Sequence, residues 1–400
     1  LTLAIHGGSK VRNKPLPYRR LFGEKELDMV RQVFEDSLET GVDFGFQGKY
    51  EQMLAEQFCK FQEGGFADGV SSGTAAVYIA LQALEIKSGS DVVVSPVTSP
   101  GSIMPVAVSG CNIIIPDSNP DAFNISPEEF EKSLTPNTKA VVLTHLGGQA
   151  FDIEPIKEIA ELHGIKLIED CSQAHGAIYK GKRVGCFSDI AAFSTMFSKT
   201  IGTGGCGGMV YTNNEDYYWK VRSYADRGKP FNTPNFDNKN STEYLFPALN
   251  FNLDELSSAI GVSVLSRLQK IIDKRLEIAR KIDRALDASS VVSPANLSLP
   301  ESVPSVFFHT VVVDTEKIRV PKKEFAKAVG TEGIWVNGDY RDIVSEWKWI
   351  QKYLGRKVET PNAVDFRNRT FNILFNERFS DQEVEDIIEC ILKVEKYYKK

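Results

Sequence analysis

Between about Ser71 and Thr212 the apolar positions follow two rhythms. VYIALQAL (77–84) has helical spacing, while DVVVSP (91–96), NIII (112–115), AVVLTH (140–145) and IKLIED (165–170) are short, nearly unbroken apolar runs. Such runs predict strands buried on both faces. Between the last two, IEPIKEIAEL carries Ile153, Ile156 and Ile159 at helical intervals. Strand, helix and strand in alternation predict an α/β fold whose large, mostly parallel sheet is flanked by helices. Ligands of such sheets gather at the carboxyl ends of the strands, and Asp170 ends one of these runs.

After Asp254 the pattern becomes one long helical stripe, with Leu256, Ile260, Val264, Leu268, Ile272 and Leu276 on one side. Read as continuous, residues 255–286 would span roughly 48 Å, enough to leave one domain and enter another. Residues 289–305 are polar and irregular, suited to a connection or an edge. The tail alternates strand-like VFFHTVVVD with helical DQEVEDIIECILKVEKYY, which predicts a smaller α+β domain. The expected division is 1–265 for an amino-terminal segment and large domain, and 266–400 for a small domain reached through the long helix.

Composition narrows the functional classes. Of 400 residues, 42% are hydrophobic and 25% charged, with a formal net charge of -6. That is an ordinary globular composition and argues against a general nucleic-acid binder. No run reaches the roughly 18 apolar residues of a membrane span, and the start lacks the apolar stretch of a signal peptide. The start also lacks a methionine, so a trimmed terminus is expected. The six cysteines form no CxxC pair and have no histidine at zinc-like spacing, which predicts free thiols in a reducing cytoplasm and no metal.

The chemistry concentrates in residues 193–212, FSTMFSKTIGTGGCGGMVYT. Lys199 lies between an apolar run and a glycine-rich turn, where a lysine held out of water deprotonates readily and can attack a carbonyl. Upstream, Ser72-Gly73-Thr74 opens an apolar helix, whose free amides and dipole favour an anion; a simple helix cap would look the same. Ser194 can add a hydroxyl to the same phosphate. Asp170 can keep a pyridine nitrogen protonated, and Gln173 can bond a phenolic oxygen. Together these residues predict a pyridoxal 5'-phosphate site with Lys199 as its Schiff-base lysine. His175 is expected to be structural. The run GTGGCGG (202–208) does not open a helix after a strand, so it fails as a dinucleotide loop. A nicotinamide-dependent dehydrogenase would need that loop and would leave Lys199 without a purpose.

With these residues in place, the chain resembles the sugar aminotransferases of the DegT/DnrJ/EryC1/StrS family, fold type I of the pyridoxal phosphate enzymes. SSGTAA is similar to the family's N-G-T-x-A-L phosphate segment. EDCSQAHGAIYKGKRVGCFSDIAAFS resembles its E-D-x-A-Q-x-x-G…G-x-x-G-D-x-x-x-F-S run, and ALNFNLDELSSAIGVSVLSRL its G-Y-N-x-R-x-x-E-x-x-A-A segment. The resemblance implies a homodimer with shared sites, in which Asn250 reaches the phosphate of the neighbouring subunit. It also implies glutamate or glutamine as donor, glutamate being the expected one, and a keto sugar as acceptor.

Several positions depart from the pattern. Ser99 falls where an aromatic usually stacks on the cofactor, and Asn252 replaces the arginine of N-x-R. The loop after Lys199 is one residue longer, with Cys206 near the usual glutamate, and GDYRDIVSEW replaces H-Y-x-P. These changes surround the substrate side. AIHGGSKVRNKP, FSTMF-SK and RGKPF (227–231) resemble a branch that aminates an oxidised octulosonic acid to 8-amino-3,8-dideoxyoctulosonate for lipopolysaccharide. An acid substrate requires a cation, for which Arg227, Lys229 and Arg341 are candidates, with His309 and Tyr340 as further substrate residues. Amination of a nucleotide-linked keto sugar remains open, as do a dehydratase and a non-catalytic cofactor-binding regulator. Dehydratase relatives carry histidine at the lysine position, so Lys199 favours amino transfer.

Overall fold

The computed structural model describes residues 1–238, 241–295 and 297–400. Its centre is a seven-stranded sheet in the order Phe66–Val70, Gly208–Thr212, Ile190–Ser194, Lys166–Asp170, Thr138–Thr144, Asp91–Val94, Asn112–Ile114. Gly208–Thr212 pairs antiparallel with both its neighbours, and the remaining pairs are parallel. This is the large mixed sheet that the apolar runs predicted. Alternate residues of a strand face opposite sides: Leu167 and Phe193 enter one apolar cluster with Leu54, Phe58 and Ile156, whereas Ile168 and Ala192 enter another with Val77, Leu81 and Ile103. Both faces are therefore core, which is why these strands read as unbroken apolar runs.

The helix Gly73–Ala83 is buried on most of its surface, as expected of a helix apolar all round. It begins beside the carboxyl ends of the strands, where Thr144, Asp170 and Ser194 also lie. A second, antiparallel sheet of Val292–Pro294, His309–Val313, Thr370–Ile373 and Val336–Asn337 packs with Lys322–Thr331 and Asp381–Tyr398. Its core holds Phe325, Phe371, Ile387 and Ile391, and Leu3 and Leu16 of the amino-terminal segment join it. Within the polar stretch 289–305, Val292–Pro294 forms an edge strand and Ser302–Val303 pairs with Ile178–Tyr179.

One expectation fails. The stripe from Leu256 to Leu276 is not one helix but two, Glu255–Leu265 and Leu268–Leu286. At the break, the Arg267 N–H bonds Val264 O in a tighter turn, and its backbone leaves helical geometry at φ -121, ψ 8. The Arg267 side chain holds this kink by donating to Glu26 (2.6 Å), Leu21 O (2.6 Å) and Ser263 O (3.0 Å). Leu265 and Leu268 enter the same core, so the apolar rhythm runs through the break without marking it.

Near the amino end of Lys49–Phe61, the buried Glu51 accepts the Gly69 N–H at 3.0 Å. Burial, then the neighbouring Asp68 carboxylate, pushes Glu51 up to about 7 from its ordinary 4.5. The folded chain thus holds this proton more tightly than the unfolded chain, and stability falls as pH rises from about 4.5 to 7. Glu51→Gln keeps an acceptor for Gly69 without the charge. It should raise Tm by a few degrees at pH 8, on the order of 1–2 kcal/mol, and give no gain at pH 4. Thermal melts at the two pH values check this.

Candidate active site

Asp170 is the last residue of its strand and is 2% exposed. Its Oδ1 accepts the Ser172 N–H at 3.0 Å, and its Oδ2 accepts the Ser102 hydroxyl and, at 3.4 Å, that of Thr144. Thr98, Ser102 and Thr144 also bond one another over 2.7–3.3 Å. A carboxylate fixed by hydroxyls from two other elements has little freedom to turn away. Glu169, on the opposite face of the strand, is the structural counterpart. It accepts His145 (3.0 Å) and the N–H groups of Gly185 (2.8 Å), Phe187 (3.1 Å) and Ser188 (2.9 Å). With four donors on its oxygens, the buried group His145, Glu169 and Cys171 is a structural network rather than a metal site.

Lys199 follows the strand Ile190–Ser194 and is 8% exposed. Its Nζ lies 4.8 Å from the centre of the Phe307 ring. Burial holds its ammonium below the ordinary lysine range, while the charges of Asp170 and Asp342 oppose that shift. A pyridine-side acid and a buried amine therefore face each other in one site. The glycine-rich loop beyond Lys199 is shaped by packing. A side chain at Gly207 would meet Thr203 Oγ1 at 2.0 Å, and one at Gly208 would meet Ser72 O at 2.5 Å. Thr195 and Thr203 tie the loop's base by a hydroxyl bond of 2.8 Å.

The phosphate cradle is also closely built. A Cβ at Gly73 would stand 2.6 Å from Ser194 Cβ, so the helix start is pressed against the end of the lysine-bearing strand. Ser72 Oγ caps the helix by accepting the Ala75 N–H at 3.0 Å. The first intrahelical bond runs from Ala76 N–H to Ser72 O, leaving the amides of Gly73 and Thr74 ahead of the helix ladder. Thr74 Oγ1 would meet a Cβ on Gly101 at 3.0 Å, which places the helix start at Ser99 alongside. Amides, hydroxyls and a positive helix end converge where a phosphate would sit, so the cradle fits the predicted cofactor.

Gln173 Oε1 accepts the Gly147 N–H at 2.9 Å, and its side chain also meets the Tyr340 hydroxyl. Tyr340 is buried and its phenol is pushed up, mainly by burial. Thus Lys199, Asp170, Gln173, Ser194, Ser72, Gly73, Thr74 and Tyr340 lie around one site. The other substrate candidates are placed differently. Arg227 (2.7 Å) and Lys229 (2.8 Å) both pair with the fully buried Asp226. His309 stands 3.1 Å from Asp283, on the second sheet. Arg341 is exposed beside Asp342. Asn250 is exposed, its Oδ1 taken by Asn252 N–H (3.1 Å) and Nδ2 (2.7 Å), and among the described residues no hydrogen bond joins it to the cradle. His175 is buried against Phe193, and burial followed by the Lys199 charge pushes it down to about 3. It is neutral.

Sequence reasoning missed Ser102, Phe307 and Asp342. Ser102 lies within an apolar helix, 68 residues from Asp170, and carried no local signal. Asp342 lies in the departing segment GDYRDIVSEW, whose difference from the family pattern was the available clue.

A lysine and a carboxylate at the carboxyl edge of such a sheet, with a phosphate cradle beside them, define a pyridoxal-phosphate-dependent transferase of fold type I. Residues 23–392 match the model of the DegT/DnrJ/EryC1/StrS aminotransferase family, and the chain belongs to that family. It is similar to the spore coat polysaccharide biosynthesis protein SpsC of Bacillus subtilis, 29% identical over 96% of this chain and 98% of that one. The crystal structure of an aminotransferase from Psychrobacter cryohalolentis, 26% identical, superposes with TM-score 0.89 over 96% of this chain and 100% of the other. A GDP-4-keto-6-deoxymannose-3-dehydratase, 21% identical, shares the fold at TM-score 0.83 over 95% and 100% of the two chains. Among the described residues no helix is long and apolar enough to cross a membrane.

The cradle gives a direct test. Gly73→Ala should push Ser194 away and weaken pyridoxal phosphate binding about tenfold, ~1.4 kcal/mol. A cofactor titration followed by absorbance measures this, and unchanged affinity would count against the cradle.

Proposed function

We propose that this chain moves an amino group from glutamate to a keto sugar destined for a surface glycan. The observation that carries the reading is Lys199, a lysine rather than a histidine, buried so that its ammonium is held below the ordinary lysine range, with the Asp170 charge opposing that shift. Pyridoxal phosphate, when bound, supplies an electron sink. Asp170 holds a proton at the ring nitrogen, and the hydroxyls of Ser102 and Thr144 keep its carboxylate aimed there. With the cofactor bound, Lys199 Nζ would hold it and would serve as the general base at the donor α-carbon. Gln173 and Tyr340 orient the cofactor's phenolic side, and Phe307 shields the amine from water.

The acceptor we favour is an oxidised octulosonic acid, with a nucleotide-linked keto sugar as its competitor. The first rests on resemblance of residues 4–15, 193–199 and 227–231, and the second on the wider family and its glycan-forming relative. Within one chain Arg227 and Lys229 share the single carboxylate of Asp226, which leaves one positive charge over. That surplus charge and the exposed Arg341 are the cations an anionic acceptor would use within one chain. Assaying both acceptors with the same donor separates them.

A homodimer with shared sites completes the reading, in a cytoplasmic setting. Phe197, Leu245 and Leu249 are each more than half exposed and flank Lys199 and Asn250 in sequence. Leu27, Phe34 and Leu38 add an exposed apolar stripe on the helix Glu24–Thr40. Apolar exposure of this extent is typical of an association surface.

Two outcomes are expected. The visible band of the loaded protein should bleach with glutamate and return with 2-oxoglutarate, while Lys199→Ala keeps bound cofactor and loses turnover by roughly 10²–10⁴-fold. Retained transamination by that variant would defeat the mechanism. Leu249→Glu should weaken self-association at least about tenfold by sedimentation, and activity should fall with the dimer fraction.

A further inference from the structure

Arg275 sits on the helix Leu268–Leu286 among the apolar residues Ile271, Ile272, Ile278 and Ala279, and is itself buried. Burial pushes its guanidinium down to about 10, so it stays charged at neutral pH. A buried charge is poorly suited to stability alone, because an apolar side chain of similar volume often serves as well or better. Its hydrogen bonds show what it holds. Nε donates to Val306 O (2.8 Å), Nη2 to Phe307 O (2.7 Å), and Nη1 to Phe375 O (3.0 Å) and Glu377 Oε2 (3.3 Å).

The other oxygen of Glu377 leads back to the lysine. Oε1 accepts Arg19 Nε at 2.9 Å, and Arg19 donates its two remaining groups to Lys199 O (2.5 Å) and Thr200 O (2.9 Å). Asn376 Nδ2 secures the same segment by donating to Pro17 O at 2.8 Å. Arg20 takes a positive φ of 45, a conformation rare for a residue with a side chain, and it follows directly on the arginine aimed at the lysine. The path closes on itself: Lys199 backbone, Arg19, Glu377, Arg275, Phe307 backbone, and the Phe307 ring 4.8 Å from Lys199 Nζ.

We propose that Glu377 is a positioning residue for Lys199. It joins the arginine that holds the lysine's backbone to the arginine that holds the carbonyl of the covering Phe307. The amine and its aromatic cover are thereby fixed relative to each other by charge-assisted bonds, although they come from segments more than 100 residues apart. The inference rests on Lys199 being the reactive amine of the proposed function.

The test uses the full-length protein loaded with pyridoxal phosphate. Glu377→Gln preserves size and removes the charge, Glu377→Asp keeps the charge, and Phe307→Leu removes only the ring. Glu377→Gln should lower kcat by ~10- to 100-fold, as a small misplacement of a reacting group does, with KM for glutamate within about twofold. It should also move the pH midpoint of the visible band downward, because Arg19, which bonds the Lys199 carbonyl, loses its neutralising carboxylate and leaves positive charge beside the lysine segment. Glu377→Asp should restore part of both effects. Glu377→Gln and Phe307→Leu together should cost much less than the product of the single losses, since they break one path. If Glu377→Gln does not fold, Arg275→Lys takes its place in the same cycle. An unmoved midpoint, or losses that simply multiply, overturns the proposal. The midpoint needs no turnover, so a chain that binds cofactor but ignores glutamate would sink the functional reading and still let the clamp be judged.

Discussion

Keeping one amine out of water is the constraint on which this structure depends. A lysine in bulk solvent is protonated and inert as a nucleophile, and burial is the physical means of lowering that preference. Burial alone would also make the amine's position costly to maintain. The fold answers with partners that favour the cation to a limited degree: the Asp170 and Asp342 charges and the Phe307 ring. Burial thus pulls Lys199 below the ordinary lysine range while these neighbours pull it back, and residues of the sheet edge and of the carboxyl-terminal part of the chain take part in that opposition.

The mostly parallel sheet makes this balance possible because its strands end together. Asp170, Thr144 and Ser194 come from different strands but finish on one edge, where the helix beginning at Gly73 adds a positive end. The single reversed strand, Gly208–Thr212, returns the chain from the lysine loop between the edge strand Phe66–Val70 and Ile190–Ser194. Small residues at Gly73, Gly207 and Gly208 are needed because helix start, loop and strand approach within bonding distance there.

Much of this was legible in the sequence where the information was local. Unbroken apolar runs marked four of the seven strands of the main sheet, and Asp170, Gln173, Ser194 and Lys199 stood in motifs of fixed spacing. The helix break at Ser266 and Arg267 was not legible, because its cause is a side chain bonded to Glu26 and Leu21, over 200 residues away, while the apolar rhythm continues. Ser102, Phe307 and Asp342 were hidden for the same reason: each acquires its role through a partner distant in sequence. Arg227 and Lys229 looked available as cations because their count is visible in the sequence, whereas their shared counter-ion Asp226 becomes a partner only through the fold.

The meeting of Arg19 with Glu377 beside Lys199 has a temporal consequence. A ribosome makes Arg19 before Lys199 and Lys199 well before Glu377, so a growing chain displays its lysine long before the carboxylate that secures its arginine exists. The sheet and cradle can assemble during synthesis, but the amine reaches its final surroundings only once the carboxyl-terminal residues have emerged. Maturation of the reactive centre therefore waits for chains extended past Glu377, and a product cut short of it would carry Asp170, Gln173, Ser194 and Lys199 without their finished geometry.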